Sequence, residues 1–536
     1  MTHRSELAWL LALACLWVCP AAADTAAGNL ACAKCHPNET AGYAATQMAH
    51  SLGPIGPEPA GGFTHAASGS HFSVIAAGPE MVQTLERDGV SAHYQPSYAI
   101  GSGTHAVGYL IDLQGHLFQS PICFYSHRGW DMAPGYENNE TPDFLRPVTA
   151  DCLFCHVGQA RPVAHTSNRF EDPPFDAEAI TCARCHGPAE AHLQNPVPGS
   201  IINPARLPER ARDSVCEQCH LSGEARISNP GMTISNFHPG QNLEDVFSVY
   251  VDENSLDPAR PAALHVISQA QQLGLSTCAR KSGGKLWCGT CHDPHLQPAD
   301  PKTFFRERCL SCHGAALLRT HPKPNLDCVG CHMPRRPVSD GGHTVFTDHR
   351  IARRPPAESG SSSGSTEPRS LVAWHEPAGA LAKRNLGLAE VEVGERTHTF
   401  SLISQGAKHL MEIWPQFPND PPVLTGIGQV LLGLENAGED AASVFERAIQ
   451  AEPENPSNYV HAALAWKAAH DDQKAVQCLE KALRLDPIAE QPYLELAAIY
   501  AAQHQPALVH LAYERYLRAF PQSIEAQKKV RESASY

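Results

Sequence analysis

The pattern of apolar and polar positions changes several times along the chain. Leu7 to Val18 is one apolar run, preceded by Arg4 and followed by Ala21-Ala22-Ala23. It is well short of the ~20 residues that span a bilayer. It therefore predicts a secretory signal over residues 1–23, with Asp24 as the first mature residue. Lipid anchoring at Cys15 is the competing reading, opposed by the position of Cys15 inside the apolar run. Farther on, His71-Phe72-Ser73-Val74-Ile75 and Gly108-Tyr109-Leu110-Ile111-Asp112 read as strands of a small β element. Pro and Gly then interrupt the chain so often that no ordinary aliphatic core is expected up to residue 354. Residues 355–370 are polar and rich in Ser, Gly and Pro, and they begin a flexible linker placed over 355–385.

The last region, 386–536, is rich in Ala, Leu, Glu and Gln at helical spacing. It repeats with a period of 34: Pro453, Pro487 and Pro521; Ala441, Ala475 and Val509; Phe445, Leu479 and Tyr513; Ala448, Ala482 and Tyr516. Tyr459 and Tyr493, Ala463 and Ala497, and Trp466 and Tyr500 keep the same phase. Paired antiparallel helices with small residues at their contacts and Pro at the unit's end make the tetratricopeptide repeat. Residues 388–420 read as a degenerate further repeat, with Pro418 one position out of phase. An unrelated helical bundle is disfavoured because four separate columns share one period.

Length and charge narrow the reading. At 536 residues, two or three domains are expected. No later segment is long and apolar enough to span a membrane, so a periplasmic or secreted protein is expected. The net charge of −15 disfavours nucleic acid as a partner and favours a basic redox partner.

Seven Cys-x-x-Cys-His motifs fall within residues 24–354: Cys32/Cys35/His36, Cys152/Cys155/His156, Cys182/Cys185/His186, Cys216/Cys219/His220, Cys288/Cys291/His292, Cys309/Cys312/His313 and Cys328/Cys331/His332. They use 14 of the 19 cysteines, which chance does not produce. This spacing marks covalent attachment of haem c: two thiols bond the haem edge, and the adjacent imidazole is the proximal iron ligand. Structural zinc and disulfide frameworks also use paired cysteines, but neither requires His after each second Cys. About seven haems are thus the expected cofactors, and they would be the core of this loop-rich domain. Cys123 and Cys278 are either paired or two separate thiols, and Cys478 reads as a buried apolar residue in a repeat helix.

Each iron needs a sixth ligand or keeps an open position. Residues 24–354 hold 15 further histidines against five methionines, so bis-His ligation is the expected pattern. His295 follows motif five in Cys-His-Asp-Pro-His, and His192 follows motif three. Neither can reach the opposite face of its own motif's haem, so each would cap a neighbour. His343 and His349 follow the last motif, and His50 lies on a helix after the first.

Several stretches resemble the cytochrome c-552/4 group of multihaem cytochromes, in particular bacterial proteins that join such a region to tetratricopeptide repeats. They are Cys-Ala-Lys-Cys-His-Pro with Met48-Ala49-His50-Ser51, Ile100-Gly101-Ser102-Gly103-Thr104-His105, Trp130-Asp131-Met132-Ala133-Pro134-Gly135-Tyr136, Cys185-His186-Gly187-Pro188, Cys291-His292-Asp293-Pro294-His295, Cys331-His332-Met333-Pro334 and Thr347-Asp348-His349. The resemblance implies electron transfer through closely stacked haems. By it, the distal ligands are His50, His65, His105, His192, His295, His343 and His349, with His321, His127 and His238 in reserve. Related octahaem enzymes acting on nitrite or hydroxylamine need an open iron, in some marked by Lys in place of the motif His. No Cys-x-x-Cys-Lys occurs here.

The expected fold is mainly α: a haem-cored, loop-rich multihaem domain with a small β element, then a repeat solenoid. The expected function is electron transfer, with the solenoid docking a protein partner. The alternatives are a multihaem oxidoreductase with one open haem, and a scaffold in which the repeats dominate and haems add rigidity.

Overall fold

A computed structural model describes residues 26–75, 80–257, 264–321, 327–353 and 370–534. The expected signal segment lies outside them. The first large body is antiparallel β. A four-stranded meander runs through Gly61–Thr64, His71–Ile75, Val82–Arg87 and Val90–Tyr94. A seven-stranded sheet is built around Ala106–Leu113, which pairs with Tyr98–Ile100, His116–Gln119 and Ile122–Tyr125. The two segments read as strands lie in these sheets, but the β part is larger than the small element expected. It also has a core of its own: Phe72, Leu85, Tyr109, Ile111, Phe118, Ile122 and Phe144 are all at most 3% exposed. Alternation along the strands places these side chains on inner faces.

The motif region is built differently. Between residues 265 and 353, Val338 is the one buried apolar side chain among the described residues. Short helices joined by loops carry the motifs, at Ala183–His186, Glu209–His220, Cys288–Cys291, Pro301–Thr320 and Cys328–His332. The expectation that the polypeptide makes no core of its own therefore holds for residues 265–353 and fails for the β body and for residues 154–249, where Phe154, Leu221, Phe237 and Phe247 are buried in a cluster of their own.

The C-terminal region consists of antiparallel helix pairs: Ala380–Thr397 with Phe400–Ile413, Pro421–Leu432 with Gly438–Ala451, Pro456–Ala468 with Asp472–Leu485, and Glu490–Ala502 with Pro506–Ala519, followed by Ile524–Ser533. The columns of small residues explain the close approach, since Ala441, Ala448, Ala475 and Ala482 are fully buried. Gly428 makes room in the same way, because a Cβ there would lie 2.5 Å from the Phe445 ring. Asn436, His470 and His504, spaced 34 apart, all take left-handed backbone angles between the two helices of their pairs. The degenerate repeat is a genuine pair with an unusually long first helix.

The linker is shorter than expected. Leu371–Ala373 is a strand paired with Phe247–Asp252, and the first solenoid helix begins at Ala380. The solenoid is also not hung free on that linker. Its first helix and two of its later turns pack against the N-terminal body. The Arg384 guanidinium is fully buried; it donates to both Asp420 oxygens at 2.9 and 3.0 Å and to the Ser228 carbonyl at 2.8 Å. Asn385 donates to Asn229 and Ser248 beside it. Toward the other end, His116 lies 3.1 Å from Asp486 in a buried pair, Phe118 meets Phe520 edge-on, and the His93 amide donates to Gln522.

Removing one partner of a buried, bidentate ion pair strands the other charge, at a cost of about 3–5 kcal/mol. Asp420→Ala is expected to lower the denaturant midpoint of the solenoid by that order, with the Arg384→Met/Asp420→Leu double variant recovering most of the loss. Equal midpoints for wild type and Asp420→Ala would remove the clamp from this account.

Candidate haem-binding cavity

Within a helical turn, residues i, i+3 and i+4 share a face. In motifs one, three and five the turn is closed by the motif itself: the amides of His36, His186 and His292 donate to the carbonyls of Cys32, Cys182 and Cys288 at 2.8–2.9 Å. The two thiols and the imidazole of each motif therefore project together. They project into one continuous cavity of about 2850 Å³, and all seven motif histidines line it. Thiols of different motifs meet there: Cys32 with Cys182, Cys155 with Cys219, Cys216 with Cys288, and Cys309 with Cys328. Motifs one and three, two and four, four and five, and six and seven are thus neighbours.

Four of the motif imidazoles are held toward the neutral form by burial. Burial pushes those of His156, His186 and His220 below their ordinary value, and that of His292 to about 4. His186 Nδ1 lies 2.7 Å from the Ile202 carbonyl, and His332 Nδ1 lies 2.7 Å from that of Ala352. A carbonyl only accepts, so Nδ1 carries the proton and Nε2 keeps its lone pair, as in metal-bound histidines with an oriented ring.

Four second imidazoles stand opposite motif imidazoles. Ring centres are 6.3 Å apart for His36 and His192, 5.9 Å for His186 and His295, 6.2 Å for His292 and His349, and 6.1 Å for His332 and His321. The first two pairs are nearly parallel, at 22° and 23°. A metal-bound nitrogen sits about 2 Å from its metal, with the ring centre roughly 1 Å behind, so rings on opposite sides of one ion have centres about 6 Å apart. The observed spacing is that of two axial ligands with room for a metal between them. No group of three or more His, Cys, Asp or Glu converges on one point among the described residues, so the chain offers axial pairs and no closed cage. A porphyrin would supply the remaining donors. The residues present fit haem.

Of the seven expected distal residues, His192, His295 and His349 face motif imidazoles. The first two sit opposite a neighbouring motif's ring, as their position in the chain requires. His321, held in reserve, is the fourth. The other four are not so placed. His50 is exposed and directs Nε2 to the Ala44 carbonyl at 2.9 Å. His65 is buried in the β body with both nitrogens engaged, by Ser68 and by the Glu137 carbonyl. His343 lies 3.2 Å from Asp131 and against Tyr125. His105 reaches the cavity but stacks on Phe346. Cys123 and Cys278 are separate thiols: Cys123 is buried in the sheet with its thiol pushed up to about 12, and Cys278 lines the cavity. Cys478 lies in a repeat helix as expected but is half-buried, not fully buried.

No protein-family model and no curated protein matches the chain. Solved structures similar to part of it include MamA, 17% identical over 26% of this chain and 82% of that one, with a TM-score of 0.24. Another is TTC0263, a thermophilic TPR protein in Thermus thermophilus, 15% identical over 30% of this chain and 82% of that one, with a TM-score of 0.25.

The pairing separates two histidines close in sequence. In the haem-loaded protein, His321→Ala is expected to convert one low-spin iron to high spin by electron paramagnetic resonance, whereas His343→Ala leaves the low-spin count unchanged. The reverse outcome would reassign the last motif.

Proposed function

We propose that this protein is a periplasmic or secreted multihaem c-type cytochrome that carries electrons through about seven covalently held haems, with its solenoid docking a protein partner. The observation carrying this reading is the set of four facing imidazole pairs in a cavity lined by all seven motif histidines. When bound, haem iron supplies a reversible one-electron change. The chain's part is to hold and tune it. Cys32, Cys35, Cys152, Cys155, Cys182, Cys185, Cys216, Cys219, Cys288, Cys291, Cys309, Cys312, Cys328 and Cys331 fix the position of each macrocycle. The motif imidazoles, with His192, His295, His321 and His349, would hold the iron through nitrogen on both sides, which would set a lower potential than a Met ligand. The carbonyls of Ile202 and Ala352 orient two of these rings through Nδ1.

The neighbouring motif thiols support short transfer distances between haems. The solenoid, held to the N-terminal part through Arg384 on the Ser228 carbonyl and Asn385 on Asn229 and Ser248, supports a partner surface held at a fixed position relative to the cavity.

The exported protein is expected to show a mass increase of seven haems over the mature polypeptide, a matching pyridine haemochrome count, and stepwise reduction over a broad potential range. A bare polypeptide mass would overturn the reading. A clear spectral shift on adding carbon monoxide to the reduced protein would move it from carrier to enzyme.

A further inference from the structure

The net charge is unevenly distributed. Residues 24–300 carry 15 Lys and Arg against 28 Asp and Glu, and residues 355–536 carry 15 against 23. Residues 301–354, which hold the last two motifs, carry ten against four. The acids there are partly neutralised internally: Asp348 pairs with Arg350 and Arg336, and Asp340 with His265. On the helix Pro301–Thr320, Lys302, Arg308 and Arg319 are exposed. Arg335 and Arg353, on either side of the final motif's ring contacts, are exposed as well. Arg308 and Arg353 line the cavity, Arg319 is two residues from His321 beside His332, and the Cys309 and Cys328 thiols meet, so these three charges lie at one end of the cavity.

That end is also open. Cys312 and His313 of motif six are exposed, whereas the Cys185 and Cys219 thiols lie deep inside. Two other motifs expose a thiol, at Cys35 and Cys152, and their flanking charges are mixed or acidic: Lys34 and Glu39 near the first, Asp151 beside the second. A cofactor edge at the surface within a field of one sign selects partners of the opposite sign. The carboxylates of two haems would not cancel a surplus of six positive charges.

We infer that the face formed by Lys302, Arg308, Arg319, Arg335 and Arg353 around Cys312 and His313 is the docking site for an acidic electron-transfer protein. This rests on the electron-carrier reading and reverses the basic partner expected from overall charge. Negative charge over the rest of the molecule turns such a partner toward this end.

The test uses the full-length haem-loaded protein, reduced and mixed in stopped flow with an anionic oxidant (hexacyanoferrate) or a cationic one (tris-phenanthroline cobalt) across ionic strengths. The expected result for the wild type is oxidation by the anion that slows about tenfold from low to high salt. Lys302→Glu/Arg308→Glu/Arg319→Glu should lose most of the low-salt advantage at unchanged haem count, while Arg484→Glu, an exposed solenoid change, should not. A coloured, reducible wild type that prefers the cation, or shows no salt dependence, overturns the docking site and leaves the carrier reading intact. A colourless protein overturns the carrier reading first. Binding of the wild type, but not the triple variant, to vesicles of anionic lipid would assign this face to a membrane surface and also overturn the proposal.

Discussion

Residues 265–353, which carry the last three motifs, lack an interior of their own, and the rest of the molecule is arranged around that lack. A domain is normally held by apolar side chains removed from water. The β body meets this requirement, and so does the solenoid. Between them the chain turns thiols and imidazoles inward and surrounds a large cavity. A lining of that extent needs dispersion partners. Large flat cofactors fixed at both edge and centre would supply them.

The two bodies are joined by polar contacts as well as apolar ones. Arg384, Asp420, Asn385, Asn229 and Ser248 form a buried network in which each donor has a geometric requirement. Such networks fix one relative placement better than a smooth apolar contact can. The solenoid is therefore an integral wall of the molecule. Two of its inter-pair turns, at Asp486 and at Phe520 and Gln522, contact the N-terminal body, which leaves its other faces for recognition.

The periodic parts were legible in the sequence. The 34-residue columns fall on helices, and the motif spacing places two thiols and an imidazole on one face. The second imidazoles were only half legible. His192 and His295 lie beside rings of other motifs, as the short local segments that separate them from their own motif imply. His50, His65 and His343 point elsewhere, and resemblance carries no information on where a ring points. His65 engages both nitrogens with its own loop and with Glu137, a tertiary contact 72 residues away. The linker was overextended because a polar, Ser-rich start says nothing about where strand pairing resumes. Leu371–Ala373 pairs with a strand more than 100 residues earlier.

The facing rings also carry an order in time. His36 meets a ring that follows the third motif, His186 one that follows the fifth, and His292 one that follows the seventh. Each of these pairs skips over an intervening motif before it closes. A chain threaded through an export channel from its N-terminus would thus leave its earliest sites half-built until well over a hundred further residues had emerged. On the proposed reading, late segments would complete early ones, and a ribosome that stops short would leave more than the last site unfinished.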